Sequence, residues 1–303
     1  MALNRQIWIN TIVENFFPDD SFMAKSIDDS DFVNVKTVHI PNAGKPSSVV
    51  INRSEKPATI KERTDQELTY DIDELTTDPI HLSDVDSVEL SYNKRNSILA
   101  NDRKQLQKTA AQNLLYKWAG SLKNKIFTTG DAREAHTSGT ATGNRKKFTK
   151  AAVMKAMILF NKNDVLAENR FMLVDSVMYA DLLDDLTDKE LSAFLSCADA
   201  SRGVLGKLYG FEIMQRSQVL RTTANGGALL KWEEEEAVAT ELAAGLAWQQ
   251  DCVSRAMGEV KMFDDTGSPT YYGDIYSFLV RTGGSPRRYD GNGIAVIIES
   301  NAA

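Results

Sequence analysis

Two cysteines, three histidines and seven prolines are all that 303 residues hold of these types. Cys197 and Cys252 form no Cys-x-x-Cys, so neither a zinc site nor a redox pair is spelled out. So few cysteines argue against a secreted disulfide framework and for a reducing cytoplasm. His39, His81 and His136 stand in three unlike settings, none with a second ligand at His-Glu-x-x-His spacing. Each reads as a surface or turn residue. No run of about 20 apolar residues occurs, which argues against a membrane span. Met1 to Asn10 lacks the apolar run of a signal peptide. Positive charge is also short: 35 Lys and Arg against 42 Asp and Glu leave a net charge of −7. A chain that grips phosphates along its length shows the opposite balance.

The vocabulary of catalysis is missing too. There is no Gly-x-Ser-x-Gly elbow to present a nucleophile. Gly-Lys occurs at 44–45 and 206–207, but Pro46 and Leu208 stand where a phosphate loop needs a hydroxyl for magnesium. Gly291-Asn-Gly293 precedes a strand-like segment, so no helix N-terminus awaits a phosphate. Glu233 to Glu236 are consecutive, and consecutive side chains diverge around a helix or alternate across a strand. They cannot converge on one ion, and a solvated turn or helix start is expected. Arg145, Lys146 and Lys147 make a small basic patch with no interleaved aromatics for base stacking, expected to face solvent. No catalytic, cofactor-binding or metal-ligating residue can be nominated.

What is present suits a soluble globular protein: 42% hydrophobic and 25% charged residues. The length calls for one large irregular domain or two lobes. Residues 1–31 mix apolar anchors (Ile7, Trp8, Ile12, Val13, Phe16, Phe17, Phe22) with a polar tail, and Pro18 interrupts any helix. They read either as a helix packed on its own core or as an arm lying over a neighbouring subunit. Alternation from Phe32 to Ile40 predicts a strand stopped by Pro41 and Gly44. Val49-Val50-Ile51 predicts a second strand, and Leu68, Tyr70 and Ile72 mark one face of a third. Between these last two, Arg53, Lys56, Lys61 and Arg63 balance Glu55, Glu62, Asp65 and Glu67, with only Ala58 and Ile60 apolar. A long hairpin with such a tip buries almost nothing of its own and needs a surface to lie on, another subunit being the natural one.

No Gly or Pro interrupts Ile80 to Ala119. Ser83 with Asp86 is a capping-box-like start, and Gly120 is a natural stop. Val85, Val88, Tyr92, Leu99, Leu106, Ala110, Leu114 and Trp118 make a narrow apolar stripe on one helix, roughly 50 Å long at about 1.5 Å per residue. Arg95, Asp102, Thr109 and Asn113 spoil a coiled-coil seam. Residues 128–147 hold three glycines and nothing apolar larger than alanine, which predicts a flexible loop. A helix from Thr149 to about Asn161, a strand at Phe171–Val174, a helix opened by Asp175 and a strand at Phe211–Met214 follow. Val260/Met262, Ile275/Phe278/Val280 and Ile294/Val296/Ile298, with turns at Gly283-Gly284 and Asp290–Gly293, predict a terminal β-ribbon. The fold class is α+β.

This order of arm, hairpin, long helix, mixed lobe and ribbon resembles the major capsid proteins of tailed bacteriophages, the Hong Kong 97 shell fold. Leu90-Ser-Tyr-Asn-Lys-Arg-Asn-Ser-Ile-Leu99 is similar to the start of the spine helix in one branch of that family. Ala247-Trp-Gln-Gln-Asp-Cys-Val-Ser-Arg-Ala-Met-Gly258, leading into Tyr271-Tyr-Gly-Asp-Ile-Tyr-Ser-Phe-Leu-Val-Arg-Thr-Gly-Gly284, is similar to its return strands. The resemblance covers nearly the whole chain. It implies an N-terminal arm and first strand at 1–41, an extended E-loop hairpin at 42–82 and a peripheral P domain with the spine helix at 83–175. An axial A domain at 176–245 and return strands of the P domain at 246–303 complete the division. It further implies a structural protein, not an enzyme, that assembles with itself into hexamers and pentamers of an icosahedral head. That head would enclose double-stranded DNA without sequence-specific contact, form in the host bacterial cytoplasm and end in the virion. Scaffolding, portal and cement proteins are the implied partners, the scaffold as a separate protein because the arm begins at Met1. Lys56 and Lys61 lie in the loop where one relative forms Lys–Asn isopeptide bonds, but no matching Asn and acid can be named, so that chemistry is not carried over. An encapsulin-like compartment is the alternative within the fold, and a soluble enzyme with an unrecognised active site is the alternative outside it.

Overall fold

The computed structural model describes residues 21–42, 49–54, 57, 60, 66–83, 92–120, 122–232, 238–288 and 290–302. The readings placed on residues 1–20, on Lys56, Lys61 and Arg63, on Val85 and Val88, and on Glu233 to Glu236 lie outside these residues.

Ser21 caps a single 3₁₀ turn, Phe22–Ala24, by accepting the Met23 N–H. Phe22 stands edge-on to Trp118 and Trp248, with ring centroids 5.9 and 6.3 Å away. Strand β1 (Ile27–Asp28) then runs parallel to Ser254–Arg255. Of the two readings of residues 1–31, packing on the chain's own core holds for this part.

The single strand expected over Phe32 to Ile40 is instead a small hairpin. A 3₁₀ turn at Ser30–Phe32 leads into β2 (Val33–Asn34), and a tight turn with Val35 at φ +57° returns the chain as β3 (Thr37–Asn42). Nor does Pro41 stop β3. It pairs with Glu67 of β4 (Gln66–Asp71), while beyond Val38 the other edge of β3 has no strand beside it among the described residues. A proline is tolerated at an open edge because no ladder bond needs its missing N–H. Leu68, Tyr70 and Ile72 face inward as expected, packed with Val38, Ile40 and Ala256. Val49, Val50 and Ile51 form no strand: they are 91%, 54% and 86% exposed and pair with nothing in the described chain.

Strands β5 (Asp73–Thr76) and β6 (Ile80–Ser83) follow. Ser83 therefore ends a strand, and the helix start expected just after it lies outside the described residues. Pro79 biases its predecessor away from helix, and Ile80–Ser83 finds a ladder against Gly273–Tyr276. Helix α1 is described from Tyr92 to Ala119, 28 residues or about 42 Å at about 1.5 Å per residue. Gly120, at φ +43°, closes it by donating its N–H to the Tyr116 carbonyl. Leu106, Ala110, Leu114 and Trp118 are buried as expected, and Ala111 and Leu115 widen the stripe near its end.

After β7 (Lys125–Phe127), the segment expected to be flexible is an ordered hairpin, β8 (Ala132–Glu134) against β9 (Asn144–Lys146). Next come α2 (Lys150–Lys162), β10 (Arg170–Val174) and α3 (Ser176–Asp185), the last capped by Asp175 as read from the sequence. Helix α4 (Asp188–Leu195) opens on a Thr187/Glu190 capping box. Strands β11 (Gly206–Leu208), β12 (Phe211–Gln215), β13 (Leu220–Thr222), β14 (Leu229–Leu230) and β15 (Leu242–Gln249) complete this lobe. All eight residues of β15 are buried. The strand has β10 and β13 along one edge and, along the other, β18 (Ile294–Ile298), which in turn pairs with β7. Every residue of β18 is buried. It is a central strand covered on both faces, not the alternating ribbon strand expected.

The second lobe is a long ribbon, β16 (Val253–Ser268) against β17 (Gly273–Pro286), with β5 and β6 on the free edge of β17. Gly283-Gly284, expected as a turn, lies inside β17. A Cβ on Gly284 would sit 2.3 Å from Leu114 Cδ1 and 2.4 Å from the Ser254 carbonyl oxygen. The glycine lets α1 lie directly on the ribbon. The architecture is α+β: the described residues form an eight-stranded and a five-stranded sheet, with a three-stranded and a two-stranded one beside them, and α1 packs against strands of both larger sheets.

Candidate functional site

The hairpin β8–β9 has no apolar residue larger than alanine to hold it, and charged side chains anchor it instead. Arg133 Nε donates to Asp181 Oδ2 at 2.7 Å, and its Nη2 is bonded to Glu299. His136 Nε2 lies 2.8 Å from Asp175 Oδ2, and its Nδ1 is 2.7 Å from Arg133 Nη1 and 3.7 Å from Glu299 Oε1. The Glu299 side chain is 0% exposed, and its Oε2 has no hydrogen-bond partner. Backbone bonds fasten the same hairpin to the strand end: Lys146 N–H to Ser300 O, and Thr128 N–H to Ile298 O. Arg145, expected to face solvent, is 4% exposed and donates to the carbonyls of Ala239 and Glu241. The Glu241 carboxylate accepts from Arg221 at 2.9 Å, both side chains being buried.

Burial pushes Glu299 up to about 7, against the pull of His136 and Arg133. Burial opposes charge on His136 as well, yet the hydrogen bond and charge of Asp175 outweigh it and raise that pKa. His136 is thus not a turn or surface residue: it sits half-buried at the centre of a cluster of charged side chains. Nothing in the sequence marks it, because Arg133, Asp175, Asp181 and Glu299 are far apart in the chain. Chemically the cluster can store a proton and hold two segments together. It lacks a hydroxyl or thiol within hydrogen-bond distance of His136 among the described residues.

The other sequence candidates scatter. His39 bonds Glu67 at 2.8 Å on the surface, and His81 lies 6.2 Å from the exposed Tyr271 ring. Cys197 is exposed and Cys252 buried, both free thiols. A cleft of about 380 Å³ opens between α1, β5 and the β13–β14 edge, lined in part by Asp73, Gln112, Tyr116, Lys231 and Trp232. Its carboxylates are engaged, Asp73 with Lys117 at 2.7 Å and Glu74 with Arg281 at 3.1 Å. Burial tends to raise Asp73, but the hydrogen bonds from Lys117 and Asn113 prevail and hold it below the usual carboxylate range. No group of ligands able to hold a metal ion occurs among the described residues, and no described helix is long and apolar enough to cross a membrane.

No protein-family model matches this chain, and no curated protein matches it in sequence. Solved structures match it in fold. The capsid of cyanophage P-SCSP1u is similar with a TM-score of 0.63 at 17% identity, over 92% of this chain and 87% of that one. The capsid of Ralstonia phage GP4 gives 0.62 at 11% identity, over 96% and 91%. A virus-like particle from Pyrococcus furiosus gives 0.53 at 10%, over 97% and 99%. The fold is therefore the Hong Kong 97-like fold of phage capsid proteins, as the resemblance implied.

Proposed function

We propose that this chain is the major capsid protein of a tailed bacteriophage, a structural subunit that assembles with copies of itself into hexamers and pentamers of an icosahedral, DNA-filled head. The observation that carries the reading is the end-to-end match in fold to phage capsids, over 92% of this chain for the cyanophage protein. The exposed Val49-Val50-Ile51 run supports it. Three consecutive apolar side chains in water, with no partner strand among the described residues, make sense as a contact buried in an assembly. Residues 1–41 then take the role of arm and first strand, 42–82 of E-loop, 83–175 with 246–303 of P domain and 176–245 of A domain, and scaffolding, portal and cement proteins are the further partners.

Electron microscopy of the purified protein, expressed alone and beside its neighbouring structural genes, tests the proposal. Closed particles are expected, and a compact monomer under both conditions would sink it. Nuclease-protected DNA inside particles made during infection separates a phage head from an encapsulin-like compartment, the reading that the Pyrococcus particle's similarity keeps open.

A further inference from the structure

The net charge of −7 hides a segregation. Helix α1 carries six basic residues (Lys94, Arg95, Arg103, Lys104, Lys108, Lys117) and a single acid, Asp102. Lys117 is paired with Asp73. Arg103, Lys104 and Lys108 make no ion pair with any described residue. Asp102 is not their counter-ion, since its Oδ2 is buried and without a partner. The outward face, one turn after another, reads Asn101, Lys104, Gln105, Lys108, all exposed. Beside it Arg216 donates to the Lys108 carbonyl at 3.2 Å and packs 5.5 Å from the Phe22 ring, with Nη1 unpartnered. Lys104 and Lys108 repel each other at this spacing. The opposite face of the helix is held on the ribbon core by Leu106 and Ala110.

We propose that the Arg103–Lys104–Lys108 face of α1 is the surface on which the subunit contacts the phosphate backbone of duplex DNA. The proposal rests on the capsid reading and adds where the enclosed DNA touches the wall. Charge complementarity argues for it: the face offers donors and no carboxylate, on a chain otherwise acidic. Duplex is favoured over an acidic protein segment because a protein-docking surface has an apolar centre, and this face has no apolar side chain. The scale also fits. Arg103 to Lys108 spans about 8 Å of the helix axis at about 1.5 Å per residue, and duplex presents one phosphate per about 1.7 Å of its axis, so several phosphates lie within reach. Such contacts carry no base information, so binding is independent of sequence.

The test compares the full-length wild-type subunit with the Arg103→Gln, Lys104→Gln, Lys108→Gln triple variant. Binding to a mixed-sequence DNA duplex is measured across a salt series, with polyglutamate as competitor. Each lost phosphate contact removes about 0.9 from the slope of log K against log salt, so the variant's slope should be shallower by about three units. An unchanged slope overturns the proposal. So does displacement of the duplex by polyglutamate at lower charge concentration than by duplex itself, which assigns the face to an acidic protein. The variant's thermal melting must match wild type, and Lys104→Gln alone, at an exposed position, supplies a one-unit change if the triple variant is unstable. Failure of the wild type to form particles would refute the capsid reading, while the slope still decides this one.

Discussion

The indole N–H of Trp118 donates to the carbonyl of Ser254 at 2.7 Å, with the tryptophan wholly buried. That bond joins the end of α1 to the start of the ribbon, at the point where Trp248 approaches within 5.5 Å and Gly284 leaves room for the helix. Trp118→Phe removes this hydrogen bond and leaves a cavity where the second ring lay, at a cost of about 1–3 kcal/mol. Gly284→Ala forces a methyl between Leu114 and the strand, a similar cost of about 1–3 kcal/mol. Urea denaturation of the free subunit should show both losses as lower midpoints with unchanged slope.

Leu106 packs with Ala110 against Met262, Tyr276, Phe278 and Val280. A proline there removes a helix hydrogen bond and clashes with the preceding turn, about 3 kcal/mol or more. Leu106→Pro should give insoluble protein or no particles in a sizing gradient. Normal particle yield would show that an unbroken α1 is not needed.

The charge cluster sets a pH dependence. Its two titrating groups, Glu299 and His136, lie together against Arg133 and Asp175. Glu299 is raised from 4.5 to about 7, and His136 is raised above 6.5. Groups raised on folding contribute stability below their unfolded values and lose it as pH climbs through the folded ones. Melting temperature should therefore fall from about pH 5 to about pH 8. Glu299→Gln should flatten the fall, leaving the part due to His136. A flat wild-type profile would contradict the cluster.

Cys252 is 3% exposed, burial raises its thiol pKa, and its Sγ lies 3.4 Å from Gln249 Oε1, whereas Cys197 is exposed. A thiol reagent should label one cysteine of the native subunit fast and the other only on unfolding. Shells should keep their stability in reductant. Rapid labelling of both would show that the region around Cys252 opens.

Substituting Val49, Val50 and Ile51 together by serine should leave the subunit's melting temperature near wild type, because exposed side chains away from a core move stability by about half a kcal/mol each. Particle yield should fall. Unchanged yield would show that this run is not an intersubunit contact.

The elements legible in the sequence are those whose residues carry their own signal. Thr149, Asp175 and Gly120 mark helix ends by side-chain or backbone chemistry, and Phe171–Val174 is apolar enough to be a buried strand anywhere. What was misread depends on distant partners. Gly283-Gly284 has turn chemistry, yet its lack of a side chain serves the approach of Leu114. The hairpin at 132–146 is held by Asp175, Asp181 and Glu299, none of them local to it. Charge pairing across such separations leaves no periodic trace.

The pairing of β7 with β18 has a consequence for the order of events in synthesis. Residues 125–127 lie in register with 296–298, and β18 also covers one whole edge of β15. While a nascent chain lacks those residues, the most buried strand of the subunit stands with an open, apolar flank. Contacts of such sequence separation form late and slowly, and an uncovered strand edge is prone to wrong pairing in the interval. The ribbon of β16 and β17 is made before that edge is closed. Translation pauses or chaperones acting between the two would govern how many chains reach the competent form, and a half-made subunit carries no finished wall to offer a neighbour.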